Sequence, residues 1–187
     1  MMTKTNRPRR LSTGDTVPRR ELTTIRSASV TVPDEAALVH LQFRRYAGCP
    51  ICHLHLRSVA ARQDEIHAAG IREIVVFHST VAVLLPYQDE LPFDVVADPA
   101  KELYTEFGVE KTPRAVLDPR TWPAMLRGGI GRKPTGPGKG QSPFGLPADF
   151  LIGPDGRIRA VRYARHADDQ WRVDELLGLA AEAGASS

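Results

Sequence analysis

The chain is short of cysteine, of aromatic residues and of long apolar runs. Two cysteines in 187 residues are too few for the disulfide framework of a small secreted domain. No stretch approaches the ~20 consecutive apolar residues of a membrane span, so no membrane partner is expected. The opening, MMTKTNRPRR, is charged but has no apolar segment behind it, so a secretory signal is not expected and a cytoplasmic protein is. Most of the net charge of +3 is local: Lys4, Arg7, Arg9, Arg10, Arg19 and Arg20 all lie near the N-terminus. No aromatic residue is interleaved there to stack on bases, which argues against a nucleic-acid arm. Residues 1–10 read instead as a disordered, solubilising basic tail. The chain has no internal repeat and no heptad array. The glycine clusters Gly128-Gly129-Ile130-Gly131 and Gly136-Pro137-Gly138-Lys139-Gly140 lack the Walker pattern and do not open a helix after a strand, so they are not phosphate loops.

What is present is enough apolar material, 42%, for one domain over residues 11–183. A short strand is expected within 25–32 and a central strand over 38–43. A helix follows over 50–69, closed by Gly70 as C-cap. The β-branched run 71–78 reads as a buried strand, 80–85 as a short helix and 93–97 as a strand. Asp98 and Pro99 are the cap and first residue expected for a helix running to 107. A short strand at 112–117 precedes a Gly/Pro-rich loop at 118–146. Strands at 148–152 and 157–163 flank the turn Pro154-Asp155-Gly156, and an amphipathic helix over 171–183 closes the chain. Strands alternating with helices predict an α/β fold: a central mixed β-sheet flanked by helices, ending in a β-hairpin plus helix.

Both cysteines stand in one motif, Cys49-Pro50-Ile51-Cys52, between the central strand and the helix. Cys49 takes the N-cap position, where unpaired N–H groups and the helix dipole lower a thiol pKa. Pro50 suits the first helical position, where its missing N–H costs nothing. Cys52 lies one turn further in, close enough to close a disulfide with Cys49, as in thioredoxin-like proteins. The first cysteine of such a motif is expected to be accessible and the second buried. Inert packing of two small buried residues is the plainer reading of the pair. A close pair at a strand-to-helix junction with no other cysteine in the chain speaks against it.

Two longer stretches carry a family resemblance. Residues 43–50, Phe-Arg-Arg-Tyr-Ala-Gly-Cys-Pro, resemble the nucleophile loop of peroxiredoxin-like proteins of the alkyl hydroperoxide reductase/thiol-specific antioxidant (AhpC/TSA) superfamily. Residues 146–158, Leu-Pro-Ala-Asp-Phe-Leu-Ile-Gly-Pro-Asp-Gly-Arg-Ile, resemble that superfamily's late strand and hairpin. The resemblance spans roughly residues 11–180 and implies a thioredoxin-like fold. Peroxiredoxins usually carry Pro-x-x-x-Thr-x-x-Cys; here Gln42 and Tyr46 stand ahead of Cys49, so Tyr46 is the hydroxyl in the threonine's place. Peroxiredoxins also place an arginine on the late strand over the thiolate. Pro147 stands at that position, similar to the cis-proline that faces the CxxC of thioredoxins. The chain therefore resembles the CxxC-bearing branch.

The resemblance implies a thiol-dependent oxidoreductase with Cys49 as nucleophile and Cys52 as resolving thiol. Tyr46, Pro50, Pro147, Arg44 and Arg45 would shape the site, an arginine folding over the thiolate. Peroxide attack gives a sulfenic acid that Cys52 condenses to a disulfide. Attack on a protein disulfide gives a mixed disulfide that Cys52 resolves. Either route needs an external reductant, a thioredoxin-like protein or a low-molecular-weight thiol, and no cofactor. The superfamily's folds often dimerise, which leaves a homodimer open.

Two other classes remain. Cys49, Cys52, His53 and His55 form a metal-ligand-like cluster, but His53 and His55 point to different sides of a helix and the set falls short of a zinc tetrahedron. His53 is also a candidate to tune a cysteine as a nearby cation. A redox-inactive interaction module using the Gly/Pro loop is the third class, and the intact cysteine pair argues against it. Asp149 is placed on the rim of the site, near Pro147. His40 and His78 read as strand residues in satisfied surroundings.

Overall fold

The computed structural model describes residues 9–109, 123, 126–127 and 145–185. Its centre is β3 (Leu38–Arg44), which pairs in parallel with β4 (Ile71–Phe77) on one side and antiparallel with β6 (Ala148–Ile152) on the other. β5 (Asp94–Ala97) extends the sheet beyond β4, and β7 (Ile158–Tyr163) beyond β6, giving the order β5-β4-β3-β6-β7. A separate hairpin, β1 (Arg20–Thr23) and β2 (Ser29–Val32), precedes it. The α-helices with bounds among the described residues are α1 (Pro50–Ala60), α2 (Gln63–Ala68), α3 (Val81–Leu84), α4 (Glu102–Glu106) and α5 (Val173–Ala185). The mixed sheet, the helices and the closing hairpin-plus-helix are the α/β architecture expected.

Local chemistry explains most element ends. Gly70 closes α2 at φ +72°, in the left-handed region that suits glycine. Gly156 makes the β6–β7 turn at φ +79°, and a Cβ there would lie 2.9 Å from the Val17 carbonyl oxygen. The helix expected over 50–69 is two helices. It breaks at Ala61 and Arg62, where the Arg62 N–H turns back to the Val59 carbonyl at 3.1 Å. The strand expected within 25–32 is β2, and it pairs with β1, which was not foreseen, in a hairpin turning at Ser27 with φ 60°. Asp98 caps as expected, but from a distance: its carboxylate accepts the Glu102, Leu103 and Tyr104 N–H groups at 3.0, 2.9 and 3.3 Å. The helix therefore starts at Glu102, after Lys101 has taken a left-handed turn.

The sheet is covered on both faces. One side of β3 presents Val39, Leu41 and Phe43 to Tyr104, Phe107 and Phe150. The Phe43 ring lies 5.0 Å from Tyr104 and 5.7 Å from Phe150, both edge-to-face. The other side carries His40, Gln42 and Arg44, facing α1 and the Trp171 end of α5, and none of the three is more than 1% exposed. The tail (1–10, save Arg9 and Arg10), the strand expected at 112–117 and nearly all of the Gly/Pro loop fall outside the described residues.

Candidate active site

The parallel strands end at one edge of the sheet, and β3 runs there into Tyr46, Ala47 and Gly48 before α1 begins. Cys49 is the N-cap of α1 and Pro50 its first residue, as the sequence predicts. The Cys49 sulfur accepts the Cys52 N–H at 3.3 Å, and the two sulfurs lie 2.7 Å apart as free thiols. Both cysteines are fully buried, among Tyr46, Ile51, Leu54 and Ala167. The accessible first cysteine expected from the motif is thus not found: the covering side chains close over both sulfurs.

The direction of the thiol shifts also differs from expectation. Burial pushes Cys49 well above an ordinary thiol, and its contact with Cys52 adds to the rise. Cys52 is burdened by the same burial. Its hydrogen bond with Cys49, the Arg45 charge, the Arg45 N–H and the Arg44 charge outweigh that and hold it at about 7. The two thiols titrate as a pair: one proton is lost more readily than from an ordinary thiol and the second less readily.

The expected shaping residues are brought together except in one respect. Tyr46 is 7% exposed; its carbonyl takes the Cys49 N–H at 3.0 Å, and its hydroxyl pKa is raised by burial and by Cys49. The Arg45 guanidinium lies over the Tyr46 ring at 5.6 Å. Pro147 is buried where β6 begins, next to the residue paired with Phe43, but its peptide bond is trans. Among the described residues the cis bond is Val32–Pro33. The resemblance of Pro147 to the thioredoxin cis-proline therefore ends at sequence position.

The histidines of the motif diverge. His53 bonds the Ala47 carbonyl and stacks 4.7 Å from Tyr87, while His55 meets Arg44. Neither turns to the sulfurs, and among the described residues no three metal-ligating side chains gather.

Sequence reasoning missed the buried network on the polar face of β3. Asp149 is fully buried, not on the rim, and pairs with Arg44 at 2.6 Å. Arg44 also reaches His55 at 3.0 Å and Gln42. Behind them His40 Nδ1 bonds Glu73 at 2.9 Å, and Gln42 donates to the same carboxylate. Burial works against charge on His40, but Glu73 and Asp149 overcome it and raise the imidazole to about 9. Burial likewise works against the Asp149 carboxylate, and Arg44 and His40 hold it well below the usual range. His55, half-buried beside Arg44, stays neutral, desolvation and the Arg44 charge lowering its pKa to about 3. One signal was available: a central strand in a sheet covered on both faces has no solvent side, so its alternate polar residues must find partners inside.

Comparison with known proteins places this scaffold. Residues 58–166 match the model of the AhpC/TSA antioxidant enzyme family. The chain belongs to that family. The matched segment begins after Cys52, so membership rests on the sheet and hairpin and not on the thiols. Solved structures share the family's fold. Peroxidoxin BcpB from Mycobacterium tuberculosis matches with a TM-score of 0.68 at 16% identity, over 92% of this chain and 97% of that one. Peroxiredoxin 6 of Arenicola marina, as a cysteine-to-serine mutant, gives 0.70 at 16% identity, over 94% and 74%. A Chlorobium tepidum protein described as a thiol:disulfide interchange protein, DsbE, gives 0.59 at 18% identity, over 91% and 99%. At such identities the likeness is one of fold. No curated protein matches the chain. Among the described residues no helix is long and apolar enough to cross a membrane.

Proposed function

We propose that this AhpC/TSA family member is a thiol peroxidase in which Cys49 attacks the peroxide and Cys52 resolves. The observation that carries the reading is the thiol pair itself: two free sulfurs 2.7 Å apart at a helix N-terminus, with one held at about 7. A base with that pKa beside a protonated nucleophile is suited to work at neutral pH. Cys52 takes the proton of Cys49. The Cys49 thiolate attacks the terminal peroxide oxygen, the O–O bond breaks, and the alkoxide leaves with the proton returned from Cys52. Cys49 is then a sulfenic acid. The Cys52 thiolate attacks its sulfur, hydroxide departs to become water, and the disulfide closes. An external thiolate opens it by attack on Cys49, and a second thiol completes the two-electron reduction.

Burial favours a small oxidant over a protein disulfide. A protein substrate needs an open groove along the motif, whereas Tyr46, Leu54 and Ala167 cover the sulfurs. A hydroperoxide needs only a gap between them. The Arg45 charge beside both thiols and the Tyr46 ring next to Cys49 support the same choice. Protein disulfide exchange is the alternative. Comparing hydroperoxide and insulin-disulfide reduction by the same sample decides between them: faster turnover of insulin than of peroxide would reverse the assignment.

A further inference from the structure

The reduction step needs a thiol from outside, and a cavity beside the motif carries groups to hold one. It measures about 440 Å³, within the range of small-molecule sites. One wall is α1, through Leu54, and the other is the segment leading into α5. The cavity abuts the sulfurs. Leu54 lines it and also packs on the cysteines, and Ala167, which covers the cysteines, directly precedes Asp168, which lines the cavity. Its charges are left open. Arg127, Asp168 and Arg172 all line it, yet among the described residues none of them has an opposite charge at ion-pair distance. Arg127 Nε donates only to the Pro123 carbonyl, at 3.3 Å, and the Asp168 carboxylate accepts no hydrogen bond among the described residues. Burial raises the Asp168 pKa, and the charges of His166, Arg127 and Arg172 do not offset it. Gln170 is 6% exposed. Its amide nitrogen donates to the Ala167 carbonyl at 3.5 Å, and its amide oxygen has no partner among the described residues. Arg62, on the same cavity, shows the contrast: Glu65 and Asp174 pair with it at 2.7 and 2.6 Å. Partly desolvated charges and a buried acceptor without partners cost stability, and a ligand that pairs with them offsets that cost.

We propose that this cavity binds the reductant, a low-molecular-weight thiol carrying an α-amino-carboxylate: an amino acid or small peptide. Arg127 and Arg172 pair with its carboxylate, and Asp168 and the Gln170 amide oxygen accept its ammonium N–H groups. Neither an anion nor a cation alone satisfies both halves of the cavity. The proposal deepens the function above by naming the external thiol, and it rests on the Cys49–Cys52 disulfide of that reading as its target. Leu54, half-buried between ligand and sulfurs, turns to another rotamer to let the thiolate through. The thiolate attacks the Cys49 sulfur, the S–S bond breaks, and its electron pair leaves on Cys52, which takes a proton from solvent. A second molecule of the thiol attacks the ligand's own sulfur in the mixed disulfide. The ligand departs as its disulfide, and Cys49 keeps the electron pair and is protonated.

The test uses the full-length protein with its disulfide formed by diamide, so that no peroxide enters. The rate of disulfide reduction, corrected for thiol acidity, is compared for cysteine, N-acetylcysteine, cysteamine and 2-mercaptoethanol. Cysteine is expected to be about tenfold faster than 2-mercaptoethanol, with N-acetylcysteine and cysteamine, each keeping one charge, between them. Asp168→Asn and Arg172→Gln should each remove most of that advantage. S-methylcysteine has the same charges and no thiol; it should slow reduction by cysteine saturably in the unmutated protein, so the test does not hang on a variant folding. Equal corrected rates for all four thiols, with no inhibition by S-methylcysteine, would overturn the proposal. Fastest reduction by N-acetylcysteine would make the cavity a plain anion site and overturn it as well. A protein that fails with peroxide yet prefers cysteine loses the peroxidase reading and keeps this one; a peroxidase indifferent to the thiol does the reverse.

Discussion

The two faces of β3 lie on the same seven residues and are equally dry, yet they are built from opposite chemistry. Val39, Leu41 and Phe43 meet rings and aliphatic chains, while His40, Gln42 and Arg44 meet carboxylates, an amide and an imidazole. The apolar face holds the sheet to α4. The polar face adds little to stability that hydrophobic residues would not supply, but its last residue, Arg44, ties the strand to the motif helix through His55. The difference separates what the strand does for the fold from what it does for the helix that carries the thiols.

Substitutions can break that comparison at either face. The largest effect is expected at the point both faces serve: Cys49→Ser should lower peroxide reduction at least a hundredfold in a protein that still folds, read by turnover and circular dichroism. Next come Phe43→Ala and Asp149→Leu. Each should cost about 3–5 kcal/mol in urea unfolding, the first by a core cavity and the second by stranding the buried Arg44 charge. They separate on repair: adding Arg44→Met to Asp149→Leu should recover most of the loss, as no second change would for Phe43→Ala. The His40–Glu73 contact predicts a milder effect with pH. The folded His40 pKa of about 9 lies above the unfolded value near 6.5, so its stabilisation is complete below the unfolded value and lost as pH rises through about 9. Unfolding at pH 7 and pH 10 should show this fall, and His40→Leu should flatten it. The smallest effect belongs to the far end of the sheet. Arg72, half-exposed and paired with Asp34 and Asp94 at 2.8 and 2.9 Å, should give up less than about 1 kcal/mol as alanine and leave the thiol titration unmoved.

Much of the fold was legible because its signals are local. The alternation of β3, the β-branched run of β4, the Pro154-Asp155-Gly156 turn and the N-cap at Cys49 each follow from a few neighbouring residues. The break between α1 and α2 was not legible, since the apolar spacing runs through it unchanged. The site was legible as a motif but not as a circuit. Asp149 lies 105 residues from Arg44, and nothing local to either names the other. A period of two reads the same whichever face is covered, so His40 reads as a satisfied strand residue, Gln42 only by its place in the motif and Arg44 only as a residue over the thiolate. The thiol order inverted for a related reason. The helix N-terminus acts on Cys49 from sequence, while the burial that raises both thiols and the Cys49 hydrogen bond, Arg45 and Arg44 charges that lower Cys52 act only once the chain has folded.

The most direct measurement is stopped-flow oxidation of the fully reduced protein by hydrogen peroxide and by an organic hydroperoxide, with Cys49→Ser alongside. The account predicts fast oxidation that stops at one equivalent, ends in a Cys49–Cys52 disulfide and is absent from the variant. Oxidation no faster than that of a free thiol in solution would contradict it.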